Sequence, residues 1–257
     1  MLFAADIGNS SIDLGVFDDT GALIIKSKIS AVKTQCADEY AVMIHSILSL
    51  NHCPISAIRS SIISSVVPPL TAVLSDALHK LFGVCTMVVG PGVKTGINIK
   101  VDQPTQLGAD IVSNAAAATA MQTGPLIVMD IGTATTISVI DDQNSLCGVI
   151  ITPGIRLSLN ALAMHASELP DVSISVPKRI IAKNTRDSMN SGVVYGHALM
   201  MDGFIDRIRE ELSAPEAAVI ATGGLAGTVL PFCKHSIQLV ENLTLRGLWI
   251  IHQKSKK

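Results

Sequence analysis

Residues 125–136 read Pro125-Leu126-Ile127-Val128-Met129-Asp130-Ile131-Gly132-Thr133-Ala134-Thr135-Thr136. A short continuous apolar run predicts a buried strand. It ends in an aspartate and a glycine turn, and hydroxyl-bearing residues lead back as a second strand. The N-terminus follows the same plan. Leu2-Phe3-Ala4-Ala5-Asp6-Ile7-Gly8-Asn9-Ser10-Ser11 is an apolar run closed by Asp and a Gly turn, and Ile12 to Phe17 returns with Ile12, Leu14 and Val16 alternating against Asp13 and Gly15. Two copies of one supersecondary plan predict two similarly built halves.

The segments around these copies alternate between strand and helix patterns. Ile24-Ile25 reads as a third strand, Ala41 to Leu50 as a helix, and Ser61 to Val67 as a β-branched strand stopped by Pro68-Pro69. Leu70 to Leu81 then reads as a helix and Thr86 to Val89 as a strand. Ala109 to Thr123 is an Ala-rich helix, since Ala is the best helix former and allows close packing. A boundary near residue 115 follows, giving domains over 1–115 and 116–257 with no Pro-, Gly- or Ser-rich linker between them. Beyond it lie a strand over Val149 to Gly154, helices over Leu157 to Ala163 and Val193 to Ile208, and a strand with a Gly-Gly turn over Val219 to Ala226. From Lys254 onward the pattern is a basic, solvated helix end.

Composition narrows the function. In 257 residues, 48% are hydrophobic and 16% charged, and the mean hydropathy of +0.47 excludes a disordered chain. Aromatic residues make up 3% and the net charge is −2, so neither a basic face nor a stacking platform is offered to nucleic acid. No apolar run approaches the roughly 18 residues of a spanning helix, and Asp6 interrupts the N-terminus too early for a signal peptide. No membrane partner is expected. Cys36, Cys53, Cys85, Cys147 and Cys233 are odd in number and scattered without a CxxC pair, which points to free thiols in a reducing cytoplasm.

Three places could carry chemistry. In Asp6-Ile7-Gly8-Asn9-Ser10 a tight glycine turn lets backbone N–H groups cradle phosphate, while the strand-end Asp can hold hydrated Mg²⁺. The same residues also suit a plain hairpin turn capped by Asn9 and Ser10. A second DxG and the Thr222-Gly223-Gly224 turn favour the phosphate reading, and the GxxxxGK[ST] motif is absent. Asp110, in Gly108-Ala109-Asp110, either caps the Ala-rich helix or accepts a hydrogen bond from a substrate hydroxyl, orienting it for phosphoryl transfer. Thr185 either donates to a substrate or, with Asn184, caps a helix. Ser64-Ser65 reads as structural, and no HxxxH, HExxH or GxSxG is present.

In order along the chain, Asp6-Ile7-Gly8-Asn9-Ser10, Ser64-Ser65-Val66-Val67-Pro68, Lys94-Thr95-Gly96, Gly108-Ala109-Asp110, Asp130 to Thr136, Pro153-Gly154, Asn184-Thr185 and Ala221 to Ala226 together resemble the type III pantothenate kinases of the actin-like and sugar-kinase ATPase superfamily. The resemblance implies an α/β fold: two ribonuclease-H-like domains, mixed sheets flanked by helices, and a cleft between them. It implies a homodimer that phosphorylates pantothenate with ATP, the first committed step towards coenzyme A. By the same resemblance Asp6, Ile7, Gly8, Asn9, Ser10, Ser11, Ile12 and Asp13 hold ATP with Thr133, Asp6 binds Mg²⁺ and Asp130 a K⁺ or NH₄⁺ ion. Asp110 is the proton acceptor, and Gly108, Ala109, Asp110, Ile111 and Thr185 contact pantothenate.

The chain departs from the family pattern on the acid side. Ile111 stands where Arg is usual, Val101 where Tyr is usual, and Val149 where a second Gly follows Gly148. Losing Arg removes a fixed cation and five donors suited to a carboxylate; Lys100 and His165 are the candidate replacements. Two other readings follow from these departures: a nucleotide-binding regulator without catalysis, and a kinase for another small hydroxy acid or amide.

Overall fold

The computed structural model describes residues 1–256, in two compact units. The first comprises residues 1–97, 102–121 and the segment from Leu243 onward. Its sheet contains β1 (Leu2–Ile7), β2 (Ser11–Phe17), β3 (Leu23–Ser30), β4 (Ser60–Ser65) and β5 (Thr86–Val88), in the order β3-β2-β1-β4-β5. The first three run antiparallel; β4 and β5 run parallel to β1.

Strand alternation gives this sheet two apolar faces. Phe3, Ala5, Ile7, Ile12 and Leu14 pack with Tyr40, Ile44 and Leu48 of α1 (Ala37–Leu50) and Leu70, Leu74 and Leu78 of α2 (Pro68–Phe82). Leu2, Ala4 and Ile62 pack on the other face with Ala109 and Ala116 of α3 (Ala109–Met121) and Leu245, Leu248 and Ile251 of α7 (Leu243–Ser255). Pro68 starts α2 where a missing N–H costs nothing, and Gly83, at φ 66°, ends it in the left-handed conformation.

The second unit, residues 98–101 and 122–242, repeats that plan. Its strands are β6 (Asn98–Ile99), β7 (Leu126–Ile131), β8 (Ala134–Ile140), β9 (Ser145–Pro153), β10 (Ala218–Thr222) and β11 (Gln238–Leu239), ordered β11-β10-β7-β8-β9-β6. Without the edge strand β6 this is the order of the first sheet. Ile127, Met129 and Ile131 pack against Ile155 and Leu159 of α4 (Ile155–His165) and Met189, Val193, Met201 and Ile205 of α5 (Thr185–Glu211). The short α6 (Ala226–Val229) follows β10.

The repeat of strand, DxG turn and strand is therefore present in both sheets, but the compact units are not the contiguous ranges 1–115 and 116–257. Position 115 lies inside α3, an unbroken helix that belongs whole to the first unit, and α7 returns to pack along it. The Ala run contains nothing to interrupt helix hydrogen bonding, so the unit changes only after Met121.

Candidate functional site

In the first unit the candidate residues gather at the C-terminal end of β1. The turn after it is tight: the Gly8 N–H donates to the Ser11 carbonyl at 3.0 Å, and a Cβ at Gly8 would lie 3.2 Å from that oxygen. Strand register sets Lys28, Asp13, Asp6 and Ser64 in one row across β3, β2, β1 and β4. Lys28 pairs with Asp13 at 3.0 Å. Asp6 is half-buried. Because Leu2, Ala4 and Ile62 share its strand parity, the row lies on the face covered by α3 and α7.

Asp110 stands in the first turn of α3. Its Oδ1 accepts the N–H of Ile111 at 2.8 Å, a contact with the adjacent residue and not the two- or three-residue reach of a capping side chain. The helix instead begins at Gly108, whose carbonyl accepts the Val112 N–H at 3.3 Å. Burial pushes the Asp110 carboxyl pKa up, and the backbone hydrogen bonds from Ile111 and its own N–H only partly oppose that. Gly108 makes room for this arrangement: a Cβ there would collide with Asp110 Oδ1 and stand 3.5 Å from Val66 Cγ1. Such a carboxylate is partly stripped of water and fixed in direction, as a proton acceptor should be. Ile111 is 5% exposed and packs as a core residue.

The second unit holds the other set. Gly132 donates to the Ala134 carbonyl at 3.1 Å, closing the β7–β8 turn. Two further glycines clamp it. Gly154 donates to the Thr133 carbonyl at 3.1 Å, and a Cβ on Gly154 would meet the Gly132 and Thr133 carbonyls. Gly223 adopts φ 101°, with its Cβ position 2.6 Å from the Ile131 nitrogen. Asp130, half-buried, is flanked in register by Thr136 and Thr222, and Thr133 is exposed on the turn. Sequence reasoning placed Pro153-Gly154 at the end of the strand from Val149; its packing on Gly132 and Thr133 has no signal in a single sequence.

Asn184 caps α5, its Oδ1 accepting the Asp187 N–H at 2.9 Å, which leaves Thr185 exposed at the first helical position. Lys100, the candidate replacement for the missing Arg, is engaged by other side chains. Its Nζ lies 2.9 Å from Asp141 Oδ2 and 2.7 Å from Gln143 Oε1, tying β6 to the β8–β9 hairpin. His165 is exposed in the last turn of α4. Ser65 is structural as expected, accepting from the Val67 N–H at 3.0 Å and the Thr71 hydroxyl at 2.7 Å, whereas Ser64 takes no part in that network. Among the described residues no three His, Cys, Asp or Glu side chains converge as metal ligands, and no helix is long and apolar enough to cross a membrane.

Comparison with known proteins places this arrangement. A family model described as type III pantothenate kinase matches residues 2–207. Proteins of that name from Geotalea uraniireducens (strain Rf4) and Geobacter sp. (strain M21) are each 41% identical, and in both comparisons the whole of each chain is covered. Among solved structures, the activator of 2-hydroxyisocaproyl-CoA dehydratase from Clostridium difficile, with bound ADPNP, superposes with a TM-score of 0.51 at 8% identity, covering 99% of this chain and 96% of that one. That likeness shows the shared actin-like ATPase fold. With identity at this level sustained from end to end, the chain belongs to the type III pantothenate kinase family.

Proposed function

We propose that this chain transfers the γ-phosphoryl group of ATP to the primary hydroxyl of pantothenate, the first committed step towards coenzyme A. The observation that carries the reading is Asp110, a half-buried carboxylate held against Gly108 at a helix start, on the sheet face that also bears Asp6. Phosphoryl transfer passes through a loose transition state, so the chain's main work is positioning and charge. Asp110 accepts the hydroxyl proton and aims the oxygen. Gly108, Ala109 and Thr185 bound pantothenate, while residues 6–13 and Thr133 hold ATP.

The residues present fit the cations that such a reaction uses. One strand-end carboxylate, Asp6, beside a tight glycine turn is a sparse donor set, completed by phosphate oxygens and water, and suits Mg²⁺. When bound, Mg²⁺ neutralises charge across the phosphates. Asp130, between two threonines in register, suits a monovalent cation, K⁺ or NH₄⁺. A homodimer belongs to the same family reading, and the exposed Met164, Ile181 and Leu199 of the second unit are the side chains to test at its interface. Five free cysteines support a cytoplasmic setting.

The test is a coupled ADP-release assay with ATP, Mg²⁺ and K⁺, run with pantothenate and with Na⁺ replacing K⁺. Pantothenate-dependent turnover that Asp110→Asn nearly abolishes, with ATP binding kept within about tenfold, is expected. Wild-type rates in that variant would reduce Asp110 to a helix residue. Equal rates in Na⁺ would remove the Asp130 role. The buried Ile111 and the engaged Lys100 favour a second reading, an acceptor without a carboxylate. Faster turnover of an uncharged pantothenate amide would select it.

A further inference from the structure

Ser64 is 0% exposed, and its hydroxyl meets no hydrogen-bond partner. Its neighbour Ser65 spends its own hydroxyl on the start of α2. A buried hydroxyl left unpaired is costly, and Ala would occupy the position without that cost. The side chain is thus matched to something the chain alone does not supply. Its location says what. In the β1–β4 register Ser64 stands beside Asp6, and the two share the face on which α3 lies. Two residues further on, Val66 abuts Gly108, the start of the helix that carries Asp110. The orphan hydroxyl therefore stands in register with the carboxylate assigned to the metal, on the strand that runs on to Val66 beside Gly108.

We propose that Ser64 is a positioning residue for the divalent cation of the nucleotide: its oxygen accepts a hydrogen bond from a water in the hydration shell of the cation that Asp6 holds. The proposal rests on the reading of Asp6 given above. Mg²⁺ keeps several of its waters when bound, and those waters are strong donors. A serine oxygen offers two lone pairs. Outer-shell partners of this kind typically carry about 10- to 100-fold in metal affinity.

Mn²⁺·ADP binding to the full-length chain, followed by the electron paramagnetic resonance of Mn²⁺, tests this without turnover. Ser64→Ala is expected to weaken Mn²⁺·ADP about tenfold, to leave metal-free ADP binding unchanged, and to keep or raise the melting temperature of the ligand-free protein. Ser64→Cys, slightly larger and a poor acceptor, should fall between. Ser65→Ala is the structural control, with a lower melting temperature and unchanged Mn²⁺·ADP affinity. If Asp6→Asn weakens Mn²⁺·ADP while Ser64→Ala and Ser64→Cys bind it as the wild type does, Ser64 is only a core hydroxyl and the proposal fails. If Asp6→Asn has no effect either, the Asp6 reading itself fails and takes the proposal with it.

Discussion

Gly108→Ala separates catalytic placement from folding. The Gly108 backbone lies outside the left-handed region, so an alanine meets no backbone strain there. The added Cβ does meet the Asp110 carboxylate, with Oδ1 inside van der Waals contact and Cγ at 3.4 Å. Oδ1 is the far end of a flexible side chain, so it yields before α3 does. Restoring ordinary contact moves the oxygen by about 1 Å, and a misplacement of that size costs roughly 10²-fold in rate, about 2.7 kcal/mol of barrier. Stability should hardly change. Gly→Ala stabilises by about 0.4–1 kcal/mol through the unfolded chain, and loss of a helix N-cap glycine costs a similar amount. The expected result is a kcat fallen roughly 10²-fold in the coupled ADP assay, unchanged ATP affinity and a Tm within roughly 4 °C. In an Asp110→Asn background the same change should cost almost nothing, because the placed group is already lost. A wild-type kcat in Gly108→Ala would show that the carboxylate direction seen here is not the one catalysis uses, and a Tm lowered by far more than roughly 4 °C would show that the helix start, not the carboxylate, gives way.

Two further outcomes follow from buried positions in the first unit. A Cβ on Gly247 would enter the Ser113 carbonyl, backbone against backbone, so Gly247→Ala should destabilise by about 1–3 kcal/mol; an unchanged urea midpoint would refute the close α3–α7 approach. Burial, reinforced by Lys256, lowers the His252 pKa from its ordinary 6.5 to about 4. Below pH 6.5 the unfolded chain takes up a proton that the folded chain refuses, so this stabilisation is complete above pH 6.5 and is lost progressively towards pH 4. The loss is at most about 3 kcal/mol. Urea titrations of His252→Gln should fall less steeply over that interval than wild type, and parallel curves would exclude the effect.

Where hydrophobic period and turn chemistry coincide, the fold is legible from residues alone. Asp6-Ile7-Gly8 and Asp130-Ile131-Gly132 mark the same strand pair in each sheet, since the apolar run, the Asp and the Gly turn have one local solution. The start of α5 is legible only as the Asn184-Thr185 cap, one of two readings there, and not from its hydrophobic period. Only Val193 to Ile208 carries a helical apolar stripe, whereas the helix begins at Thr185. Its first turn, Thr185 to Ser188, is exposed, and the buried turn that follows is held partly through polar groups. Asn190 Oδ1 accepts the Ser175 N–H, its Nδ2 donates to the Ser173 carbonyl, and the Ser191 hydroxyl donates to the Ile180 carbonyl. Periodicity counts apolar residues and does not register such bonds. Within the candidate site, Asp110 left two readings in the sequence because a first-turn Asp is ordinary, and only the structure shows that its carboxylate accepts from the adjacent Ile111 N–H. Lys100 looked free because Asp141 lies far from it in sequence and only strand pairing joins them. Ser64 and Ser65 are indistinguishable as letters, and only burial and partners separate them.

The return of α7 to α3 also orders events during synthesis. The first unit needs residues at both ends of the chain, because Leu245, Leu248 and Ile251 complete the apolar face begun by Leu2 and Ala4. The second unit needs nothing beyond Asn242. On the ribosome the sheet that carries Asp130 can therefore close while the sheet that carries Asp6 still exposes the face α7 will cover. The unit whose first strand emerges earliest is the last to be finished, and until then its unfinished face is the stretch of nascent chain most in need of protection from aggregation.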